Sequence, residues 1–184
     1  MRLIVKYHPE INIKSRSVRK RFSKLLESNL RIIVKRIHPS AHVVARWSDV
    51  VIEADVSEAV ELAILDAISR VPGVDQYNQV LEYDFVDFDT AFKQVAEHWQ
   101  SEIENKSFCV RVKRTGKHEF TSNDLERYIG GGLNQLVESA KVVLKKPDVT
   151  IKCELRQDKF QVIKANHKGL GGMPIPTQED VLSL

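Results

Sequence analysis

Residues 41–54, AHVVARWSDVVIEA, contain two runs rich in β-branched side chains, and these runs decide the fold. The polar pair Ser48 and Asp49 separates the runs. We therefore predict a β-hairpin with strands over Ala41–Trp47 and Val50–Ala54. Because a two-stranded hairpin is marginal in water, its apolar face requires further strands or helices, which the flanking sequence has to supply.

The flanking segments add two strands and two helices. Arg2–Tyr7 alternates apolar and polar residues and predicts a strand, and Val74–Tyr83 is a second extended segment. Glu58–Val71 has helical periodicity. The helix before the hairpin ends at Pro39 and carries one apolar stripe, formed by Val18, Phe22, Leu25, Leu26, Leu30, Ile33 and Ile37. The order β-α-β-β-α-β is typical of a ferredoxin-like domain.

The second half predicts another α/β unit. Helical spacing links Phe88, Phe92, Val95, Trp99 and Ile103, and Ser107–Arg114 alternates as a strand. Thr121 and Asp124 form a capping box before a long helix. Two strands are predicted over Thr150–Arg156 and Phe160–Ala165, and residues 169–176 have the composition of a linker. The fold class is therefore α+β.

Composition restricts the class of protein. The chain has 184 residues, 28 Lys+Arg, 25 Asp+Glu and two cysteines, Cys109 and Cys153, which lie in apolar strands. No apolar run is long enough to span a bilayer or to form a signal peptide. We expect packed thiols rather than disulfides, no membrane association and a cytoplasmic location.

Charge is distributed in blocks. Residues 11–48 hold ten bases and one acid, residues 49–104 hold two bases and fourteen acids, and residues 105–184 hold fourteen bases and nine acids. This arrangement predicts an oriented surface for an anionic partner. Two alternatives stay open: the blocks are ordinary solvated faces, or they pair with each other.

Sequence motifs for hydrolytic and metal chemistry are missing. The sequence contains no G-x-x-x-x-G-K-[ST], no H-E-x-x-H and no G-x-S-x-G. His38 and His42 are four residues apart, but Pro39 prevents them from sharing a helical face. We therefore expect no catalytic residue and no metal ligand within these 184 residues.

The strongest candidate site is cationic and follows the strand at Ser107–Arg114. Its members are Arg111, Lys113, Arg114, Lys117 and His118. Gly116 allows a positive φ, and the next helix begins nearby, so this strand end has the features of a phosphate-binding corner. The alternative is a solvated strand end.

Two other features allow more than one interpretation. Cations crowd the start of the first long helix, against its dipole, which favours contact with a polyanion: Arg16, Arg19, Lys20, Arg21 and Lys24. No aromatic residue interleaves with them, which favours recognition of a folded duplex over base stacking. The triplet Gly130–Gly132 inside the later helix predicts either close helix packing or close approach of an RNA backbone.

Four separated segments resemble one family: residues 9–15 (PEINIKS), 108–118 (FCVRVKRTGKH), 126–135 (ERYIGGGLNQ) and 171–184 (GGMPIPTQEDVLSL). They resemble the N-terminal part of the bacterial tRNA-uridine 4-sulfurtransferases, also called 4-thiouridine synthetases. The resemblance implies a ferredoxin-like domain over 1–76 and a tRNA-binding THUMP domain over 77–168, whose family boundary falls as early as residue 62. Residues 169–184 would be a linker and the first strand of an ATP pyrophosphatase domain.

The resemblance also implies the activity of a longer protein. Members use ATP with Mg²⁺ to adenylate uridine 8 of tRNA, and persulfide sulfur from a cysteine desulfurase then displaces AMP. Some members supply sulfur for thiamine thiazole, and many form homodimers in which THUMP holds the tRNA acceptor end. This fragment would bind tRNA without a cofactor of its own.

By the same resemblance, tRNA contacts are assigned to Arg111, Lys113, Arg114, Lys117 and His118, and Leu184 is the one candidate for contact with nucleotide. Two alternatives stay open. The chain is part of a different THUMP enzyme, such as an RNA methyltransferase or deaminase, or it mainly mediates protein association, with the acidic block at residues 49–104 docked on a basic surface of a second copy or of a sulfur donor. An S-G-G-x-D-S loop encoded directly downstream would favour the sulfurtransferase.

Overall fold

The computed structural model describes residues 1–177, which divide into two compact units. The first unit comprises Met1–Val80 together with residues 165–177, and the second comprises Leu81–Lys164. Two strands, β4 (Val74–Asp84) and β8 (Lys159–Lys168), run from one unit into the other along the chain. The sequence-based boundaries fall after residues 76 and 168 and stay a prediction.

The first unit has the predicted β-α-β-β-α-β order. Its elements are β1 (Arg2–Tyr7), α1 (Pro9–Asn12), α2 (Arg16–Ile37), β2 (His42–Ala45), β3 (Asp49–Glu53), α3 (Glu58–Ser69) and the start of β4. The strands lie antiparallel in the order β2-β3-β1-β4, with Val5 opposite both Val50 and Tyr77. The short α1 was not predicted, because four residues are too few to show a helical period.

The first core lies between this sheet and its two long helices. On α2 the buried residues are Phe22, Leu26, Leu30 and Val34, which recur every four residues. They meet Leu3, Val5 and Tyr7 of β1, the alternate side chains that the strand pattern predicts. Ile64 and Ile68 of α3 complete the same core.

The segment after β8 packs against the first unit. The Gly169 N–H donates to the carbonyl of Asp75, and the Gly171 N–H donates to the carbonyl of Val74. A Cβ at position 169 would lie 2.3 Å from the Val74 carbonyl oxygen, so this approach needs glycine. The start of the segment predicted as a linker from composition, at Gly169 and Gly171, is therefore held by main-chain hydrogen bonds.

The second unit carries α4 (Phe88–Trp99), β5 (Ser107–Thr115), α5 (Ser122–Leu136), β6 (Lys141–Val142) and β7 (Val149–Arg156). The strand order is β8-β7-β5-β6, with β5 parallel to β7 and β7 antiparallel to β8. Ile103 lies beyond the end of α4, although it is fully buried as the periodicity predicts. The two-residue β6 was not predicted.

Both cysteines are buried and free, on the neighbouring strands β5 and β7. Burial, with a smaller contribution from the Glu126 carboxylate, raises the pKa of the Cys153 thiol far above its usual range. The Cys109 thiol lies 3.8 Å from the Thr150 hydroxyl. The interpretation of both residues as packed strand thiols is confirmed.

Candidate nucleic-acid interface

The alternation of β5 separates the predicted cations at its end. Val110 and Val112 point into the second core, so Arg114 shares their side of the strand, whereas Arg111 and Lys113 point to the other side. Arg111 and Lys113 are exposed, and Arg114 is half-buried. The five predicted residues therefore do not form one uniform patch.

Arg111 is held by groups of its own unit. Its guanidinium donates to the carbonyl oxygens of Val110 at 3.2 Å and Leu144 at 3.1 Å, and lies 3.5 Å from a carboxylate oxygen of Glu126. The other oxygen of Glu126 accepts the Val112 N–H at 2.8 Å, which fixes the carboxylate beside the strand. Arg111 keeps 44% of its side chain exposed, so part of its charge faces solvent.

Arg114 and His118 form a second local arrangement. Arg114 Nη1 lies 3.2 Å from His118 Nδ1, and His118 Nε2 lies 2.7 Å from the Gln157 carbonyl. These two contacts place His118 between Arg114 and the loop at Gln157. The Arg114 guanidinium carbon lies 5.9 Å from the Phe120 ring centroid, and the His118 ring lies 5.3 Å from the same ring, so both side chains pack against Phe120.

Lys113 and Lys117 are the most available of the five. Both are exposed, and no ion pair to either lysine occurs within residues 1–177. Gly116 between them has φ +116°, as the sequence analysis expects of the loop. These two ammonium groups best match the prediction of a phosphate-binding strand end.

The N-terminus of α5 is already capped. Asp124 accepts the Thr121 N–H at 2.8 Å, and the Thr121 hydroxyl accepts the Asp124 N–H at 3.2 Å, so the predicted capping box is confirmed. The backbone and side-chain hydrogen bonds to Thr121 lower the pKa of the Asp124 carboxyl. A fixed carboxylate at this position opposes a phosphate at the same helix end.

The glycines of the triplet differ in how closely they pack, while the predicted approach of an RNA backbone stays a prediction. A Cβ on Gly132 would lie 2.7 Å from the ring of Phe92, so close packing of α5 on α4 requires that glycine. A Cβ on Gly131 would meet nothing within 4 Å. Gly131 borders a groove of about 480 Å³ that Arg111, Arg127 and Leu144 also line. Packing therefore accounts for Gly132 and not for Gly131.

Sequence reasoning missed an aromatic residue among the cations of α2. Trp47, from the β2–β3 turn, lies with its ring 4.3 Å from the Arg19 guanidinium carbon, and 65% of Trp47 is exposed. The statement that no aromatic interleaves with these cations is wrong in two places. On the helix itself, the Arg21 guanidinium carbon lies 5.4 Å from the ring centroid of the buried Phe22, and in the folded unit Trp47 joins the cations as an exposed ring. An apolar aromatic at a hairpin turn, where polar residues are usual, was the available signal.

Three further sequence-based expectations concern metal ligands, membrane-spanning helices and a nucleotide contact. Within residues 1–177, no group of three or more His, Cys, Asp or Glu side chains is arranged to hold a metal ion. None of the helices in that range combines the length and the hydrophobicity that crossing a bilayer requires. Leu184, the predicted nucleotide contact, lies outside the described residues.

Two family models match the chain, one for each half. A ThiI ferredoxin-like domain matches residues 2–78, and a THUMP domain matches residues 84–163. The chain is similar along its whole length to tRNA sulfurtransferases, at 51% identity to the protein from Vibrio vulnificus strain YJ016 and 48% to that from Proteus mirabilis strain HI4320. It spans 38% of the length of these relatives.

Solved structures agree on the fold. The protein PH1313 from Pyrococcus horikoshii Ot3 superimposes with a TM-score of 0.80 at 21% identity, covering 96% of this chain and 58% of that chain. A 4-thiouridine synthetase, solved as an RNA complex with bound ATP, gives 0.72 at 19% identity, covering 96% of this chain and 44% of that chain. At these identities the likeness concerns the fold.

Proposed function

The chain carries a ThiI ferredoxin-like domain followed by a THUMP domain, and from this premise we propose that it is the tRNA-binding part of a tRNA sulfurtransferase. The observation that carries the proposal is the sequence similarity to tRNA sulfurtransferases, which reaches 48% identity and covers all 184 residues. The proposed substrate is folded tRNA, bound through its acceptor end.

The proposal extends to the longer protein. In it, ATP with Mg²⁺ activates uridine 8, and persulfide sulfur from a cysteine desulfurase replaces the oxygen to give 4-thiouridine. Homodimerisation, a cytoplasmic location and sulfur supply to thiamine thiazole belong to the same proposal. Residues 1–177 contribute RNA binding, for which Lys113 and Lys117 offer exposed charges without ion-pair partners in that range.

A salt titration of tRNA binding tests the role of the strand end. The double variant Lys113→Ala/Lys117→Ala should bind tRNA more weakly, with a salt slope reduced by up to about 0.7–0.9 for each phosphate that is no longer neutralised. Arg114 is left in place because its interactions with His118 and Phe120 are structural as well as electrostatic. An unchanged slope would reject these two lysines as phosphate ligands.

The matched control removes the same charge elsewhere in the second unit. Lys93 and Lys159 are exposed and paired with Asp89 and Asp84. The variant Lys93→Ala/Lys159→Ala should bind tRNA as the unmodified chain does. An equal loss in both double variants would mean that only net charge matters.

The sulfur-transfer part is tested in cells. Deleting the complete gene should remove 4-thiouridine from bulk tRNA, and restoring the gene should return it. Persistence of 4-thiouridine in the deletion strain, with no tRNA binding by the chain, would reject the proposed function.

A further inference from the structure

A cationic groove lies between the N-terminal half of α2 and the β2–β3 turn of the first unit. It measures about 410 Å³, within the ~300–1,000 Å³ range of small-ligand sites. Five bases line it, namely Arg16, Arg19, Lys20, Lys24 and Arg46. The one acid in the lining, Glu27, forms an ion pair with Arg31, so it neutralises little of this charge.

Trp47 forms one wall of the groove and is held in place. Arg19 stacks on the indole at 4.3 Å and donates from Nη2 to the Trp47 carbonyl at 2.9 Å. An indole fixed by a stacked guanidinium loses little conformational entropy when a ligand binds. With 65% of the residue exposed, a large flat apolar surface remains open beside the cations.

Hydrogen bonds from the buried Tyr7 hold the turn that carries Trp47. The buried Tyr7 hydroxyl lies 2.9 Å from the Arg46 carbonyl and 3.1 Å from the Asp49 carbonyl, and the Arg46 N–H donates to the Asp49 carbonyl. Asp49 is itself buried, with Lys6 at 3.6 Å. Trp47 therefore projects from a rigid turn rather than from a mobile loop.

We propose that this groove binds an unpaired nucleotide of the bound RNA, with the base stacked on Trp47 and the neighbouring phosphates on Arg16, Lys20, Lys24 and Arg46. The inference rests on the proposed function, because it assumes that RNA is the ligand of the chain. It adds a binding site in the first unit to the strand end assigned from sequence.

The combination of groups selects this ligand class. Cations alone would suit any polyanion, including an acidic peptide, but the open indole face favours a flat unsaturated ring. A paired base is already stacked on its neighbours within the duplex, so the ring has to come from an unpaired nucleotide.

Binding to the full 184-residue chain tests the site directly. Trp47→Leu should weaken tRNA binding about tenfold, in line with ~1–3 kcal/mol for each stacked base, whereas Trp47→Phe should retain most of the affinity. Leu62→Ala, which removes another exposed apolar side chain from the first unit, is the control and should bind as the unmodified chain does.

Fluorescence reports on the same residue. In a Trp99→Phe chain, Trp47 is the one remaining tryptophan. A single-stranded RNA pentamer should quench its emission, whereas a blunt RNA duplex and polyglutamate should leave the emission unchanged. Equal quenching by the duplex would overturn the unpaired-nucleotide assignment, and quenching by polyglutamate would overturn the nucleotide assignment.

The outcomes separate this inference from the proposed function. If tRNA binds tightly and Trp47→Leu binds equally well, the groove proposal fails while the proposed function stands. If the unmodified chain does not bind tRNA, the proposed function fails, and pentamer quenching then decides whether the groove still accepts a nucleotide.

Discussion

The two cationic regions of the chain differ in how their charges are used. At the end of β5, Arg111 is held by Glu126 and two carbonyls, and Arg114 is held by His118. In the groove beside α2, five bases share one acid, and that acid is paired outside the lining. The number of cations in a stretch of sequence therefore does not show how many of them can contact an anionic ligand.

The contrast has a physical origin. A strand places successive side chains on opposite sides, so cations in a row along β5 are divided and meet groups of their own unit. On a helix, residues three and four apart share a face, so Arg16, Lys20 and Lys24 remain together. Such neighbours repel one another, which is a cost that a bound polyanion relieves.

The largest expected effect comes from removing the anchor of the Trp47 turn. Tyr7→Phe deletes the hydroxyl shared by the Arg46 and Asp49 carbonyls and should lower the free energy of unfolding by about 1–2 kcal/mol at neutral pH. Burial, with the nearby Asp49 and Glu27 carboxylates, raises the pKa of Tyr7 to about 12, although Ser23 and Arg19 lower it.

The pH dependence of this variant has a definite sign. The unfolded chain ionises its tyrosines from about pH 10, while folded Tyr7 stays neutral up to about pH 12. The stabilisation by the neutral Tyr7 phenol is therefore complete below pH 10 and is lost between pH 10 and 12. Urea unfolding of both chains from pH 8 to 12 should show the gap closing; a constant gap would contradict the burial of this phenol.

The second prediction concerns the free energy of unfolding of two glycine variants in α5, one at a packed position and one beside the open groove of the second unit. Gly132→Ala should destabilise the chain by about 1 kcal/mol net, because the new Cβ meets the Phe92 ring at 2.7 Å and the helix preference of alanine offsets only part of that cost. Gly131→Ala should stabilise it by up to ~1 kcal/mol, because its Cβ enters open space and alanine favours the helix. Thermal unfolding measures both changes, and the same sign in both variants would contradict the division of the triplet.

The elements were predictable because each has a local signature. The stripe on α2, the alternation of β1 and the capping box at Thr121 all depend on residues close in sequence. The family followed from four segments that together span both domains. By contrast, Trp47 meets Arg19 across 28 positions, and Glu126 reaches Arg111 across 15, so neither interaction has a local pattern. Availability of a charge is a tertiary property, which is why the site was only partly predictable.

The third prediction compares two pairs of cations on one helix. Lys20→Ala/Lys24→Ala should weaken tRNA binding about tenfold and lower the salt slope by up to about 1.4–1.8, if both residues bind phosphates. The control is Lys35→Ala/Arg36→Ala, which removes equal charge roughly 20 Å further along α2, beyond the screening length. Alanine favours helix formation, so neither pair should unfold α2. Equal losses of tRNA affinity in both double variants would mean that net charge alone determines binding and that the groove is not a specific site.

The smallest expected effect comes from releasing Arg111 at the end of β5, so that its charge is as available as the charges in the groove beside α2. Glu126→Gln removes the negative charge that holds Arg111, while the amide oxygen can still accept the Val112 N–H, so the strand should keep its geometry. The exposed guanidinium would then face a phosphate without a competing carboxylate, and we expect tRNA affinity to rise about two- to threefold, well under the ~1.4 kcal/mol of a tenfold change. Glu104→Gln, an exposed acid elsewhere in the second unit, controls for net charge and should change affinity less. If both variants gain tRNA affinity equally, the Glu126 carboxylate does not restrain Arg111. If Glu126→Gln alone gains affinity, that carboxylate is what limits the contact of Arg111 with phosphate.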